Sequence, residues 1–305
     1  MKKIFISILA IFATLQGFSQ CACCSGASIG STNGVSNNGI LTLSKNQIIA
    51  ETYADFRTIK IVSIDPLAEE TPLKSMLINT VGMRYGISDK FTISALLPYV
   101  FLKTNTGNDK GLGDLILMGT YNIFSEKSLN IALQAGIELP TGTQKSSNFD
   151  NTTVVLGSGS YDPIAGIVVS KNWNNFILQG NAIVKLTTPG FEKNYYGSLS
   201  VQNLSLIYKA KKMNSAETKE AKTEKSGFGL SFSGGYTSEW LDNLYENHVK
   251  DENSGYYLGF ANLGTNLSYK KWSFPVTYSL PVIKKMNGEQ NDPGFRLRFG
   301  VIKSF

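Results

Sequence analysis

Three cysteines lie within four positions, Cys21-Ala22-Cys23-Cys24, and the chain has no others. Thiolates this close together favour a soft ion such as Cu(I) or zinc. No histidine lies nearby to give a zinc ion held by one chain its fourth ligand. The same thiols also fit a labile disulfide with one spare cysteine, or lipidation of Cys21 as the first mature residue. The sequence leaves these interpretations of the cysteine cluster open.

A few segments partly resemble hydrolase or phosphate-binding motifs, but they lack the spacing and neighbouring residues that those motifs require. The only histidine, His248, lies in a polar segment with no serine two residues away. Gly157-Ser158-Gly159-Ser160 lacks the spacing of a nucleophile elbow. Gly111-Leu112-Gly113-Asp114 lacks the third glycine and the strand-to-helix setting of a phosphate loop. We therefore expect a protein that is not an enzyme, with no cofactor unless the cysteines bind a metal.

The N-terminal region predicts export from the cytoplasm. A basic start and the apolar run Ile4–Leu15 precede small and polar residues, which is the pattern of a signal peptide at residues 1–20. The run is too short to span a bilayer, and no later stretch has about 18 consecutive apolar residues. Residues 21–44, rich in Gly, Ser and Asn besides the cysteines, are expected to form a flexible tether.

From about residue 45 the chain alternates between apolar and polar residues, which predicts strands. Most segments slightly exceed the roughly 9–11 residues that a tilted strand needs to cross a membrane. Twelve strands are predicted at 46–58, 74–86, 91–103, 112–124, 128–140, 161–171, 174–187, 197–209, 227–237, 256–269, 272–282 and 294–305.

The two faces of the last predicted strand differ in polarity. Leu297 and Phe299 share one face, whereas Arg296 and Arg298 share the other. An apolar face toward lipid and a polar face toward water are typical of an outer-membrane barrel. In the eighth strand the apolar residues change parity after Val201, which predicts a β-bulge.

The connections between the strands alternate in length. Short turns, such as Ser88–Lys90, alternate with long segments, such as 141–160 and 238–255. Aromatic residues cluster near the strand ends, whereas a secreted β-sandwich would need neither feature. We therefore predict an all-β fold at residues 45–305: a single transmembrane antiparallel β-barrel of about 12 strands in the cell outer membrane, with short periplasmic turns and long extracellular loops.

One periplasmic connection does not fit this pattern. Residues 210–226 are rich in Lys, Glu and Ala, which predicts a solvated insertion, or a docking site for a periplasmic partner.

Lys and Arg outnumber Asp and Glu by 29 to 23, and removal of the signal peptide leaves a net charge of +4. So mild and evenly spread a charge argues against a nucleic-acid partner. The expected partners are outer-membrane lipid, the barrel assembly machinery, which would recognise the terminal Phe305, and a small-molecule solute.

Alternation places charged residues of both signs on the inner face of the predicted barrel. These charges are either an ion-pair network that fills the barrel or a constriction that selects solutes. Glu51, Asp55 and Arg57 share this face. The candidate lumen and selectivity residues are Arg84, Asp114, Glu138, Asp162, Lys185, Arg296 and Arg298.

Three glycine-rich segments carry a family resemblance. They are Gly111–Leu117, Gly136–Gly142 with its Pro-Thr-Gly end, and Leu156–Pro163 with its Gly-Ser-Gly start. With them the chain resembles, over roughly residues 45–305, the outer-membrane barrel family named for the meta pathway of phenol degradation. The resemblance implies a transporter-like barrel that passes small, often apolar or aromatic, compounds.

The predicted function is passive passage of small solutes, apolar or aromatic ones among them, across the outer membrane. The alternative is a closed structural or binding barrel whose N-terminal cysteine cluster binds a metal or a partner.

Overall fold

The computed structural model describes residues 20–21, 41–60, 73–103, 108–126, 128–143, 146–149, 152–211 and 227–305. Within these ranges, no helix has the length and apolar character needed to cross a membrane.

Twelve antiparallel strands close into one barrel within the described residues. Each strand pairs with the next along the chain, and the last pairs with the first. The strand Asn108–Leu112 pairs with the end of the third strand and runs, after a break at Gly113 and Asp114, into the fourth. The strands are β1 (Ile48–Lys60), β2 (Leu73–Ser88), β3 (Phe91–Lys103), β4 (Leu115–Glu126), β5 (Leu129–Leu139), β6 (Asp162–Trp173), β7 (Phe176–Lys185), β8 (Leu199–Lys211), β9 (Phe228–Leu241), β10 (Tyr256–Tyr269), β11 (Trp272–Met286) and β12 (Asp292–Ser304).

The predicted all-β barrel of twelve strands is therefore confirmed, and each predicted strand overlaps one in the structure. The bulge predicted in the eighth strand is wrong. Leu199 to Lys209 keep an unbroken register with β7 and β9, and the irregularity lies between Lys209 and Lys211. Leu199 and Val201 are buried inside the barrel, whereas Leu204 faces outward. The change of parity reflects an inner face that is itself apolar near one end of β8.

The two ends of the barrel differ. At one end, tight turns at Asp89–Lys90, Asn174–Asn175 and Lys270–Lys271 join neighbouring strands. Asn174 and Lys270 have positive φ values of 49° and 52°, as tight hairpin turns require. The opposite end carries the longer connections. Of the predicted charged insertion, 210–226, residues 210–211 belong to β8, and residues 212–226 lie outside the described residues.

The outer wall of the barrel is apolar. On β3 the outward side chains Ile93, Leu97 and Phe101 are exposed, while the alternate residues Leu96 and Val100 are buried inside. Exposed aromatic residues ring the tight-turn end at Tyr121, Phe124, Trp173, Phe176, Tyr208, Phe228, Tyr269 and Trp272, and Phe101, Tyr161 and Trp240 lie toward the other end. Aromatic belts on either side of an apolar band are typical of membrane barrels, and they place this protein in the outer membrane.

Leu263, at the middle of β10, tests the membrane setting, because it lies outward between Gly234 and Tyr278 and is 70% exposed. Leu263→Arg should lower the free energy of unfolding in lipid vesicles by about 2–4 kcal/mol, the cost of arginine at the bilayer midplane. Val249→Arg is the matched control, since Val249 is also 70% exposed but lies in a short extracellular hairpin. Equal unfolding free energies for the two variants would contradict a lipid-facing position for Leu263.

Candidate functional site

The inner face of β3 to β8 is packed with apolar side chains. Seven of them form one buried group, here called the apolar lumen cluster: Leu96, Ile116, Met118, Ile164, Ile183, Leu199 and Val201. Many inward side chains of β9 to β11 are instead small and polar, and Ser233, Thr237, Asn262 and Thr277 are each partly exposed. Leu258 and Phe260 of β10 are larger and buried. The lumen therefore has a tightly packed apolar half and a looser polar half.

The long connection between β5 and β6 folds inward over the packed half. Its residue Leu156 is fully buried against Met76, Ile78, Val100 and Leu102 of β2 and β3. Because burial of a leucine side chain stabilises by roughly 1.5–3 kcal/mol, this contact favours the inward position of the loop. The loop thus narrows the barrel from within.

Asp114 holds both ends of this loop. Its Oδ1 accepts a hydrogen bond from the Gly142 amide at 2.8 Å, and its Oδ2 accepts from the Ser158 amide at 2.5 Å and the Ser158 hydroxyl at 2.7 Å. Gly142 and Gly157 pass so closely that a Cβ on Gly157 would lie 2.7 Å from the Gly142 Cα. The three glycine-rich segments noted in the sequence therefore meet at one carboxylate, and two of their glycines are needed for this backbone crossing.

A second buried group lies beside this clamp. The Lys185 ammonium is 3.1 and 3.2 Å from the two carboxylate oxygens of Glu138 and 3.8 Å from Asp162 Oδ2. The Thr188 amide donates to Asp162 Oδ1 at 2.8 Å. These three charged side chains are at most 1% exposed, so they contact one another and neighbouring protein groups. With Asp114 they are called the buried carboxylate cluster.

On the opposite side, β1, β9 and β12 bring five charged residues together: Asp55, Arg57, Glu239, Arg296 and Arg298, the arginine cluster. Arg296 makes two hydrogen bonds to the Glu239 carboxylate, at 2.5 and 2.8 Å. Asp55 accepts from Arg298 at 2.8 Å and lies 3.3 Å from Arg57. The Arg296 guanidinium also stacks 3.8 Å from the centre of the Phe260 ring. Among these arginines, Arg298 is the most exposed, at 28%.

Arg84 belongs to a third ion pair. Its guanidinium makes two hydrogen bonds of 2.8 Å to the Glu51 carboxylate, which also accepts from the Tyr53 hydroxyl at 3.1 Å. The paired carboxylate and guanidinium have matching fork geometry, which makes this a strong bidentate pair. It lies between β1 and β2, nearer the end with tight turns than Asp55 is.

All seven predicted lumen residues lie on the inner face, but the structure divides them. Asp114, Glu138, Asp162 and Lys185 form the buried carboxylate cluster, whereas Arg296 and Arg298 lie in the arginine cluster and Arg84 pairs elsewhere. Their predicted role in selectivity stays a prediction. Sequence reasoning missed Glu239, because the ninth strand was predicted to end at residue 237. Phe260 was also missed, although it shares the parity of Asn262 and Asn266, which marks the inner face.

The cysteine cluster is only partly described. Gln20 and Cys21 pair in parallel with Val154 and Val155, in the loop between β5 and β6. Cys23 and Cys24 lie outside the described residues, so the metal, disulfide and lipid interpretations stay predictions. Among described residues, no group of three or more His, Cys, Asp or Glu is arranged to hold a metal ion. His248 lies in the exposed turn between Tyr245–Glu246 and Val249–Lys250.

Comparisons with known proteins support the family and the fold. Residues 76–211 match the family described as the MetA-pathway of phenol degradation, which confirms the resemblance predicted from the glycine-rich segments. None of the curated proteins matches the chain.

Among solved structures, an outer membrane channel from Pseudomonas putida F1 is 14% identical, with a TM-score of 0.65 over 89% of this chain and 100% of that chain. The translocator domain of the autotransporter NalP from Neisseria meningitidis is 15% identical, with a TM-score of 0.45 over 96% and 100%. The CymD monoaromatic hydrocarbon channel is 10% identical, with a TM-score of 0.43 over 91% and 94%. At these identities the first match shows the fold alone, and the other two carry no argument.

Lys185→Met tests the buried carboxylate cluster. Removal of the ammonium leaves Glu138 and Asp162 buried without a counter-charge, so the free energy of unfolding should fall by about 3–5 kcal/mol. Lys284→Met is the control, because Lys284 pairs with Asp292 at 2.6 Å on the exposed rim, where such a pair contributes about 1 kcal/mol or less. Denaturant unfolding of both variants in vesicles measures the difference in the free energy of unfolding. Similar losses would mean that the buried Lys185 stabilises the barrel no more than the exposed Lys284 does.

Proposed function

We propose that this outer-membrane barrel, a relative through residues 76–211 of the family of the MetA-pathway of phenol degradation, is a passive channel for small solutes. The observation that carries the proposal is the uneven filling of the lumen. The apolar lumen cluster and the inward loop fill one half, while partly exposed polar side chains and arginines line the other.

The size of the barrel supports passage of small molecules. Barrels of eight strands are filled by their own side chains, whereas those of sixteen or more enclose wide aqueous channels. Twelve strands with one inward loop leave a narrow space between these limits. The partly exposed side chains of Arg296 and Arg298 support a position for this space beside β1, β9 and β12.

The walls of this space favour solutes that are partly apolar. The partly exposed side chains offer hydroxyls, amides and guanidinium groups, whereas the apolar lumen cluster and Phe260 are buried behind them. The match of residues 76–211 to the family of the MetA-pathway of phenol degradation supports a small aromatic solute with one polar group. Nothing in this arrangement needs a nucleophile or a general base, so we propose transport without catalysis.

Asp114→Ala tests whether the inward loop limits passage. Loss of the carboxylate releases the Gly142 and Ser158 amides, so the loop should leave the lumen more often and single-channel conductance in planar bilayers should rise about twofold or more, since conductance follows the free cross-section. Asp292→Ala, at the exposed extracellular rim, should leave conductance unchanged. If neither the natural protein nor Asp114→Ala conducts ions, the closed binding barrel becomes the better account.

We also propose that the barrel assembly machinery recognises Phe305, which follows the closing strand β12. The Phe305 amide donates to the Ile48 carbonyl at 2.9 Å, so this residue lies at the seam where β12 meets β1. Its ring is exposed, and the Lys303 ammonium lies 4.6 Å from the ring centre.

Deletion of Phe305 should lower the amount of folded protein in the outer membrane in cells, while refolding of purified protein into vesicles stays near normal. The difference arises because only assembly in cells needs recognition of Phe305 by the machinery. Heat-modifiable mobility on gels measures the folded fraction in both settings. A parallel loss in both would mean that Phe305 acts on stability alone.

A further inference from the structure

We infer that the outer wall of the barrel carries a binding site for a phosphorylated glycolipid of the outer leaflet. The site lies near the extracellular ends of β8 to β11 and is here called the outer-wall polar patch. Its members are Ser200, Gln202, Tyr236, Ser238, Tyr257 and Lys285. The inference uses the membrane setting of the barrel and does not depend on passage through the lumen.

The strand register places polar side chains on the lipid-facing surface. Gln202 lies directly opposite Ser238, whereas Ser200 lies opposite Trp240, which in turn lies opposite Tyr257. Residues directly opposite each other in a sheet share a face, and Trp240 is 47% exposed in the extracellular aromatic belt. The patch therefore occupies the level of this belt and one step below it. Polar side chains at that depth are costly unless they meet polar partners.

A β-bulge brings a positive charge to the same face. The pairing of β10 with β11 shifts register between Gly259 and Phe260, which makes Val282 the extra residue of β11. Because the extra residue changes the alternation, Lys285 lies opposite Tyr257 and shares its outward face. The Lys285 side chain is exposed. An ammonium group at the edge of the hydrocarbon layer can extend to a lipid phosphate.

Gln202 organises the neutral part of the patch. Its side-chain nitrogen donates to Ser200 Oγ at 2.5 Å, and its oxygen accepts from Ser238 Oγ at 2.5 Å. The hydroxyl of Tyr236 is hydrogen-bonded to Tyr257. Hydroxyl and amide groups can each make more than one hydrogen bond. Such groups beside a cation match a phosphorylated sugar, whereas a hydrocarbon chain would offer them no partner.

An apolar recess lies directly below the patch. Gly234 faces outward between Leu206 and Leu263, and a Cβ on this glycine would meet nothing within 4 Å. Leu206 is 43% exposed and Leu263 is 70% exposed. An acyl chain can therefore lie against Gly234 while the headgroup of the same lipid meets the patch. This continuity favours a lipid over a soluble phosphate or sugar.

A second copy of the chain fits the patch less well. A twofold contact would bring the same surface against itself, including the positive charge of Lys285. Like charges brought close together in a low-dielectric setting repel each other. A phosphate instead supplies the opposite charge, so the patch fits an anionic lipid better than a copy of itself.

Native mass spectrometry of the whole folded protein in detergent tests the site with lipid A that carries both phosphates. One lipid A molecule should bind each barrel about fivefold or more tightly than phosphatidylglycerol, which is also anionic but has no sugar to match the amide and hydroxyls. Lys285→Gln should lower the affinity for lipid A about fivefold, the effect of losing one exposed ion pair. Lys285→Arg should retain the affinity, because it keeps the charge.

Two further variants complete the test. Lys271→Gln is the matched control, since it removes the same charge from an exposed tight turn at the opposite end of the barrel. Gln202→Leu should weaken lipid A binding about threefold or more and leave phosphatidylglycerol binding unchanged, because it removes only the amide. Heat-modifiable mobility on gels shows that each variant is folded before its affinity is measured.

The possible outcomes are distinct. Loss of lipid A binding in folded Lys285→Gln and Gln202→Leu, with normal binding in Lys271→Gln, would support the site. Equal affinity for lipid A and phosphatidylglycerol, or equal losses in Lys285→Gln and Lys271→Gln, would overturn it. A dimer that disappears in Gln202→Leu, with unchanged affinity for lipid A, would assign the patch to a second copy and also overturn the lipid site.

Discussion

Closure of the backbone hydrogen-bond ladder is the constraint on which the rest of this structure depends. In the hydrocarbon region no water can satisfy a free amide or carbonyl, so the last strand must pair with the first. Here β12 pairs with β1 from Asp292 to Ser304. Once the ring is closed, each strand has one face toward lipid and one toward the lumen. Every inward residue must then be accommodated in a narrow interior, whatever its chemistry.

The interior responds to this confinement in two different ways. On one side, buried leucine and isoleucine side chains pack around the inward loop, and the charges of Lys185 and Glu138 neutralise each other out of contact with water. On the other side, Arg296 and Arg298 pair with Glu239 and Asp55 and keep part of their surface exposed. Both sides come from the same alternating pattern, yet they differ in how tightly their side chains are packed.

Much of this was predictable from local patterns. Alternation predicted all twelve strands and the inward direction of the seven candidate lumen side chains, because side-chain direction along a strand repeats every two residues. Predictions failed where one sequence pattern fits two structures. The apolar residues of β8 change parity after Val201, which predicted a bulge because alternation alone assigns apolar residues to lipid. In the structure Leu199 and Val201 lie on an inner face that is itself apolar. Glu239 fell beyond the predicted end of its strand, and strand ends are where sequence patterns are least informative.

The sequence by itself determined the class of fold, the outer-membrane setting and which residues face inward, because these follow from residue type at a period of two. It could not determine which inward residues meet. Asp114 contacts Gly142 and Ser158, and Arg296 contacts Glu239, across separations of 28, 44 and 57 residues. Such contacts depend on the register of all twelve strand pairs, because each pair offsets the next strand along the barrel. Only the closed tertiary structure fixes these offsets, and with them the division of the lumen into a packed half and an arginine-lined half.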